Sequence, residues 1–249
     1  EVVVKEGAED CPDAVFPNNW FSTHKGEEKV VVMLYPMKTA NRRRERANEE
    51  VLGLLRESYG DTFDDRLLKD EEQSGKALEG TGCLVLDRSN RKAYCCLSER
   101  SDETLAAEWK TALGYDKMVT FHAFDENGRP IYHTNVLMAI GTHFAIVCME
   151  SIRDESERET VRQELTATGH TIVDISFAQV LDFCGNVLEV ATASGLGLVM
   201  SQRARDTFTT EQLETLKEKG GVTSFIVADF TTIEKCGGGG VRCTIAELF

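Results

Sequence analysis

Three residues far apart in the chain carry the side chains of a thiol-nucleophile site: Cys243 in GGGGVRC, His133 in YHTN and Glu79 in LEGTG. A thiolate attacks carbon, an imidazole carries protons, and a carboxylate orients the imidazole. The glycines at 237–240 remove side chains where a substrate must reach Cys243, and they allow φ values that other residues avoid. Their N–H groups also suit a polar or anionic part of a ligand. Alone, such a run reads equally well as a linker, and a lone cysteine reads as a buried strand residue. The phase of an internal repeat sets these three residues apart.

Apolar alternation and helical spacing recur in the order strand, strand, helix, strand, over roughly 50–60 residues per unit. The first unit is expected as Asn19–Thr23, Val30–Tyr35, a helix over Asn41–Tyr59 and a weaker strand before Ser74. The second is Cys83–Arg88, Ala93–Ser98, a helix Ser101–Leu113 stopped at Gly114, and Met118–Phe124. The third is Thr134–Ile140, Phe144–Met149, a helix Asp154–Thr168 stopped at Gly169, and Thr171–Ser176. The fourth is Val187–Ala193, Leu196–Ser201, a helix Thr210–Lys219 and Val222–Phe230. Strands Val2–Lys5 and Thr244–Phe249 would flank these units. A fifth unit would then need an upstream segment or a partner chain to complete it.

Each unit opens on a short polar cluster: PNNW, LEGTG, YHTN, CGN and GGGGVRC. If the units circle an axis, these openings meet at one end of it. Asn19, Glu79, His133, Asn186 and Cys243 would then converge.

The totals narrow the function. A net charge of −14 argues against a nucleic-acid surface and is compatible with a cationic small substrate. No long apolar run predicts a membrane span, and no secretory leader is read at the front. The eight cysteines show no CxxC spacing, so neither a zinc site nor any other metal or cofactor is expected. Several lie in apolar strand-like runs, which predicts buried thiols and an intracellular, reducing compartment, the cytoplasm first and an organelle second.

The stretches PDAVFPNNWFSTH, LYPM with NRRRER, LEGTG, IYHTNV, CMESIRD, GNVLEV and GGGVRCTIAE resemble the citrulline-utilisation hydrolases of the guanidine-modifying, or pentein, superfamily. The resemblance spans essentially the whole chain. It implies one domain over residues 1–249, an α/β fold built as a five-bladed propeller, and a site on its pseudo-fivefold axis. It also implies Cys243 as nucleophile, His133 as general acid and base, Glu79 as the carboxylate beside it, and Asp13 as a substrate-holding aspartate. Asn19 and Asn135 stand where relatives carry aspartates facing a guanidinium. Asn186 and Arg242 complete the expected substrate contacts.

The two asparagines are departures. A buried cationic guanidinium favours carboxylates, whereas an amide is neutral and offers both donor and acceptor. That pattern suits a neutral ureido group, while Glu79 and Asp13 keep a guanidino group possible. The expected reaction is hydrolysis of a linear C–N bond through a covalent cysteine adduct, with release of ammonia or an amine. Transfer to an acceptor amine on the same scaffold is the alternative, and a non-catalytic subunit of the same fold is the third reading. Arg129 and Arg242 are read either as partners for a substrate carboxylate or as surface, Asn186 either as a backbone clamp or as a substrate contact, and the run Asn41–Arg46 as a solvated helix start.

Overall fold

The computed structural model describes residues 11–26, 28–68 and 74–249. The expected strand Val2–Lys5 lies outside them. The described residues hold four three-stranded sheets, with strand orders β1-β2-β3, β4-β5-β6, β7-β8-β9 and β10-β11-β12. The strands are β1 Phe21–Lys25, β2 Val30–Leu34, β3 Phe63–Asp64, β4 Leu84–Asp87, β5 Lys92–Cys96, β6 Lys117–Phe121, β7 Met138–Ile140, β8 Phe144–Val147, β9 Thr171–Asp174, β10 Leu188–Thr192, β11 Gly195–Ser201 and β12 Val222–Ala228. In every sheet the first two strands are antiparallel and the third runs parallel to the middle one. A parallel return requires a crossover. Four helices supply it: α1 Glu49–Tyr59, α2 Glu103–Ala112, α3 Glu155–Ala167 and α4 Thr210–Glu218.

The helices start where side chains can satisfy their free N–H groups. Asn48, Asp102 and Asp154 each accept from the first turn, and Thr209 with Gln212 forms a capping box. The second helix therefore begins at Glu103, after the Asp102 cap, and not at the expected Ser101. Its buried face, Leu105, Ala106 and Trp109, packs into a core with Met33, Tyr35, Leu78 and Cys95. Trp109 Nε1 donates to Tyr35 Oη at 2.8 Å, and Tyr35 Oη lies 2.6 Å from Ser22 Oγ, which lies 2.6 Å from His24 Nε2. Burial, with Arg88 nearby, pushes His24 down to about 3, so the ring stays neutral inside this network.

Several expected boundaries shift, most of them at unit openings. Residues 134–140 are not one strand: Thr134–Leu137 is a helical turn and only Met138–Ile140 pairs. Gly80–Cys83 and Pro17–Asn19 are likewise single turns, so β4 and β1 start later than expected. The expected helix Asn41–Tyr59 is broken into Ala40–Arg43, a 3-10 turn Arg44–Ala47 and α1. The expected strand Thr244–Phe249 does not form. Val241–Thr244 is a 3-10 turn, and the residues after it are held by Thr23, whose Oγ1 donates to Glu247 O at 2.8 Å and accepts from Phe249 N at 3.2 Å.

No disulfide joins any of the eight cysteines, and all but Cys236 are buried. Among the described residues no helix is long and apolar enough to cross a membrane.

Candidate active site

Unit openings that are distant in sequence touch one another. Thr81 Oγ1 donates to Asn18 O at 3.3 Å, joining the first opening to the second. Thr134 Oγ1 donates to Cys83 O, joining the second to the third. Asn186 Nδ2 donates to Asn135 O at 2.9 Å, and Arg242 N donates to Asn186 Oδ1 at 3.1 Å. The turn Val241–Thr244 packs back on the turn Pro17–Asn19. Four of the openings carry a single helical turn: Pro17–Asn19, Gly80–Cys83, Thr134–Leu137 and Val241–Thr244.

These openings surround a cavity of about 130 Å³ whose wall includes Asp13, Asn19, His133, Asn186 and Cys243. His133 Nε2 lies 2.8 Å from Glu79 Oε2, and the Glu79 side chain is fully buried. Burial alone would raise Glu79. The hydrogen bond and charge of His133, the Arg100 guanidinium and the Lys38 N–H override it and hold the carboxyl at about 2. An ionised carboxylate only accepts, so the imidazole proton sits on Nε2 and Nδ1 keeps its lone pair. Burial lowers His133 despite the Glu79 partner, which favours the neutral ring.

Cys243 Sγ is approached by two amide nitrogens, Asn186 Nδ2 at 3.2 Å and Asn135 Nδ2 at 3.4 Å. The Asn186 orientation is forced, because its Oδ1 accepts from Arg242 N and its Nδ2 faces the Asn135 carbonyl. Both amides thus present N–H donors to the sulfur.

The glycine run has a packing reason. Gly237 ends the helix Thr231–Gly237, and Gly238 takes φ 70° as its cap. A Cβ at Gly239 would fall 2.6 Å from the Phe16 ring, and one at Gly240 would fall 2.6 Å from Asn186 Oδ1. The run is thus pressed between an aromatic ring and the amide that holds the sulfur. In LEGTG, a Cβ at Gly82 would collide with Asn19 Nδ2 and fall 3.0 Å from His133 Nδ1.

Two expected substrate contacts do not line this cavity: Asn135 reaches it only through Cys243 Sγ and borders a neighbouring cavity, and Arg242 turns away. Arg242 donates to Glu247 Oε2 at 2.9 Å and to Ile245 O at 2.8 Å, and it lines a separate cavity of about 160 Å³. The run Asn41–Arg46 is not wholly solvated either. Arg42 and Glu45 are buried, and Arg42 lines the site. The Glu45 carboxylate holds the Arg42 guanidinium charged against the pull of burial. Arg100, within 3.2 Å of Glu79 Oε2, also lines the cavity and was not singled out by sequence. The arginine–glutamate spacing of three was visible there, but a charge run reads as surface until its partners are known. Arg129 is exposed and does not line the cavity.

A family model described as N,N dimethylarginine dimethylhydrolase, eukaryotic, matches residues 1–249. The chain belongs to this family. With it the chain belongs to the guanidine-modifying, or pentein, superfamily. The dimethylarginine dimethylhydrolase match is joined by solved structures of similar fold. One is apo ArgZ, an arginine dihydrolase from the ornithine-ammonia cycle in Cyanobacteria, at 18% identity and TM-score 0.71, covering 96% of this chain and 34% of that one. The chain thus spans about a third of the length of that relative. The N-terminal domain of ArgZ, as a cysteine-to-serine mutant bound to substrate, is similar at 18% identity and TM-score 0.69, covering 96% of this chain and 76% of that one. A dimethylarginine dimethylaminohydrolase adduct with 4-chloro-2-hydroxymethylpyridine is similar at 16% identity and TM-score 0.63, covering 95% of this chain and 79% of that one. No curated protein matches the chain.

Proposed function

We propose that this chain is a cysteine hydrolase of linear C–N bonds in a small guanidino or ureido compound. One observation carries the reading: Cys243 Sγ accepts from two amide N–H groups and lines the same cavity as His133, whose Nε2 is held by Glu79. Burial pushes the Cys95 thiol upward even with a Ser101 hydroxyl beside it, and Cys95 does not line the cavity. The family match and the dihydrolase and dimethylaminohydrolase neighbours support a guanidino carbon as the target. We further propose that the four sheets are blades of a single five-bladed pseudo-fivefold propeller over residues 1–249.

The reacting carbon carries three heteroatoms and is a poor electrophile, so it requires a thiolate. Neutral His133 takes the Cys243 proton at Nδ1. The ionised Glu79 behind it stabilises the imidazolium. Sγ attacks, a tetrahedral adduct forms, and His133 returns the proton to the departing nitrogen, which leaves as ammonia or an amine. Water then loses a proton to His133 and attacks the thiouronium or thiocarbamate carbon, and the C–S bond breaks to regenerate the thiolate. Asp13 provides a carboxylate for substrate N–H groups. If an amine replaced the water, the same site would transfer the group instead of hydrolysing it.

Release of ammonia or amine from arginine, dimethylated arginines, agmatine, succinylarginine and citrulline tests this. Turnover of at least one of them without an added acceptor, lost in Cys243→Ser, is the expected result. Dependence on an acceptor amine would replace hydrolysis by transfer. No turnover and no covalent capture at Cys243 would leave only the non-catalytic reading.

A further inference from the structure

The cavity contains a guanidinium of the protein's own. Arg42 Nε and Nη2 donate to Glu45 at 2.9 and 3.0 Å, and Nη2 also reaches Phe16 O at 3.2 Å. Its Nη1 donates to Asn19 Oδ1 at 2.8 Å. Arginine has donors only, so the atom of Asn19 facing it must be the oxygen. The amide therefore cannot turn over without setting N–H against N–H.

That lock decides what Asn19 offers a substrate. Its Nδ2 is buried and has no hydrogen-bond partner among the described residues. It abuts Gly82 beside His133, and the side chain lines the cavity. A second fixed cation, Arg100, lines the same wall. A guanidinium presents only N–H groups, which Asp13 can accept but the Asn19 N–H cannot. A ureido or amide group presents a carbonyl oxygen, which an N–H donor receives.

We propose that Arg42 is a positioning residue that fixes Asn19 as a hydrogen-bond donor, and so tilts the site toward a neutral reacting group with a carbonyl oxygen over a cationic guanidinium. The proposal rests on Cys243 being the nucleophile and deepens that reading by naming the preferred substrate class. Exchanging one donor for one acceptor against a charged group changes the preference by about tenfold or more.

The test uses two alkylating probes of nearly equal shape, 2-chloroacetamide, which is neutral with a carbonyl oxygen, and 2-chloroacetamidine, which is cationic with N–H groups only. In each case the Cys243 S–C bond forms as the C–Cl bond breaks and chloride leaves. Rates at Cys243 are divided by each probe's rate with a free small thiol. The intact chain is expected to favour the amide on this scale. The paired variant Arg42→Met with Glu45→Met keeps the net charge, removes the lock and replaces a buried ion pair by apolar groups, a change that proteins commonly tolerate. It is expected to lose the preference about tenfold. Asn19→Asp keeps the bond to Arg42 and places an acceptor where the N–H was, so the preference is expected to reverse. A purely structural role for Arg42 would slow both probes together. An unchanged ratio in the paired variant overturns the proposal, and if that variant fails to fold, an unchanged ratio in Asn19→Asp does so. Absence of labelling by either probe in the intact chain removes the nucleophile reading, and this proposal with it.

Discussion

Removing the Asn186 amide should slow the sulfur before it changes anything else. Asn186 Nδ2 donates to Cys243 Sγ at 3.2 Å, and the residue is 2% exposed. A hydrogen bond to a charged group is worth about 1.5–3 kcal/mol, so Asn186→Ala should reduce alkylation of Cys243 by iodoacetamide at pH 7 by about ten- to a hundredfold. The same change leaves Arg242 N without its acceptor and Asn135 O without its donor, costing about 1–3 kcal/mol of stability for each group that water does not reach. Asn186→Asp separates the two effects. It keeps the acceptor for Arg242 N but puts an oxygen 3.2 Å from sulfur. Two unit charges at that distance repel by about 5 kcal/mol at an effective dielectric of 20, so they do not coexist. A thiol ordinarily holds its proton more tightly than a carboxyl, and the proton stays on sulfur. The aspartate variant should therefore alkylate more slowly than the alanine variant, although it keeps the acceptor for Arg242 N. Equal rates in all three proteins, or slowing in alanine alone, would refute the argument that the amide acts on the sulfur.

Glu79 sits at about 2, below its unfolded value, so its ionised form stabilises the folded state above that unfolded value. The contribution disappears as pH falls from about 4.5 toward 2; urea midpoints between pH 7 and pH 3 should drop less steeply in Glu79→Gln, while that variant also loses turnover. Gly82→Ala forces a methyl against Asn19 and His133; activity should fall by at least about a hundredfold with a much smaller change in thermal midpoint, as misplacement by a fraction of an ångström does at a reacting centre. Tyr35→Phe deletes a hydroxyl bonded to Trp109 and Ser22 and strands the indole N–H in the core; calorimetry should show a loss of about 2–4 kcal/mol with substrate kinetics little changed.

The repeated units were legible because their signals are local. Alternating runs bounded by turns marked the strands, and Asp154 with Gly169 bracketed the third helix. The openings were less legible. Four residues such as Thr134–Leu137 have the same composition whether they form a turn of helix or the start of a strand, and only packing on neighbouring openings decides. The convergence of Cys243, His133 and Glu79 followed from repeat phase. What each amide touches did not, since Asn135 and Asn186 face sulfur through contacts set by other units. Arg42 was misread because a charge run carries no sign of which member a distant Asn19 and the Phe16 carbonyl will receive.

The two bonds at Sγ reach back 108 and 57 residues along the chain. Contacts of that separation arrive late, after the intervening loops have closed. During refolding, then, the sulfur should remain an ordinary thiol while helices and hairpins are already in place, and become fast toward electrophiles only in the final step. A pulse of alkylating reagent at successive delays would time the completion of the whole assembly from a single atom.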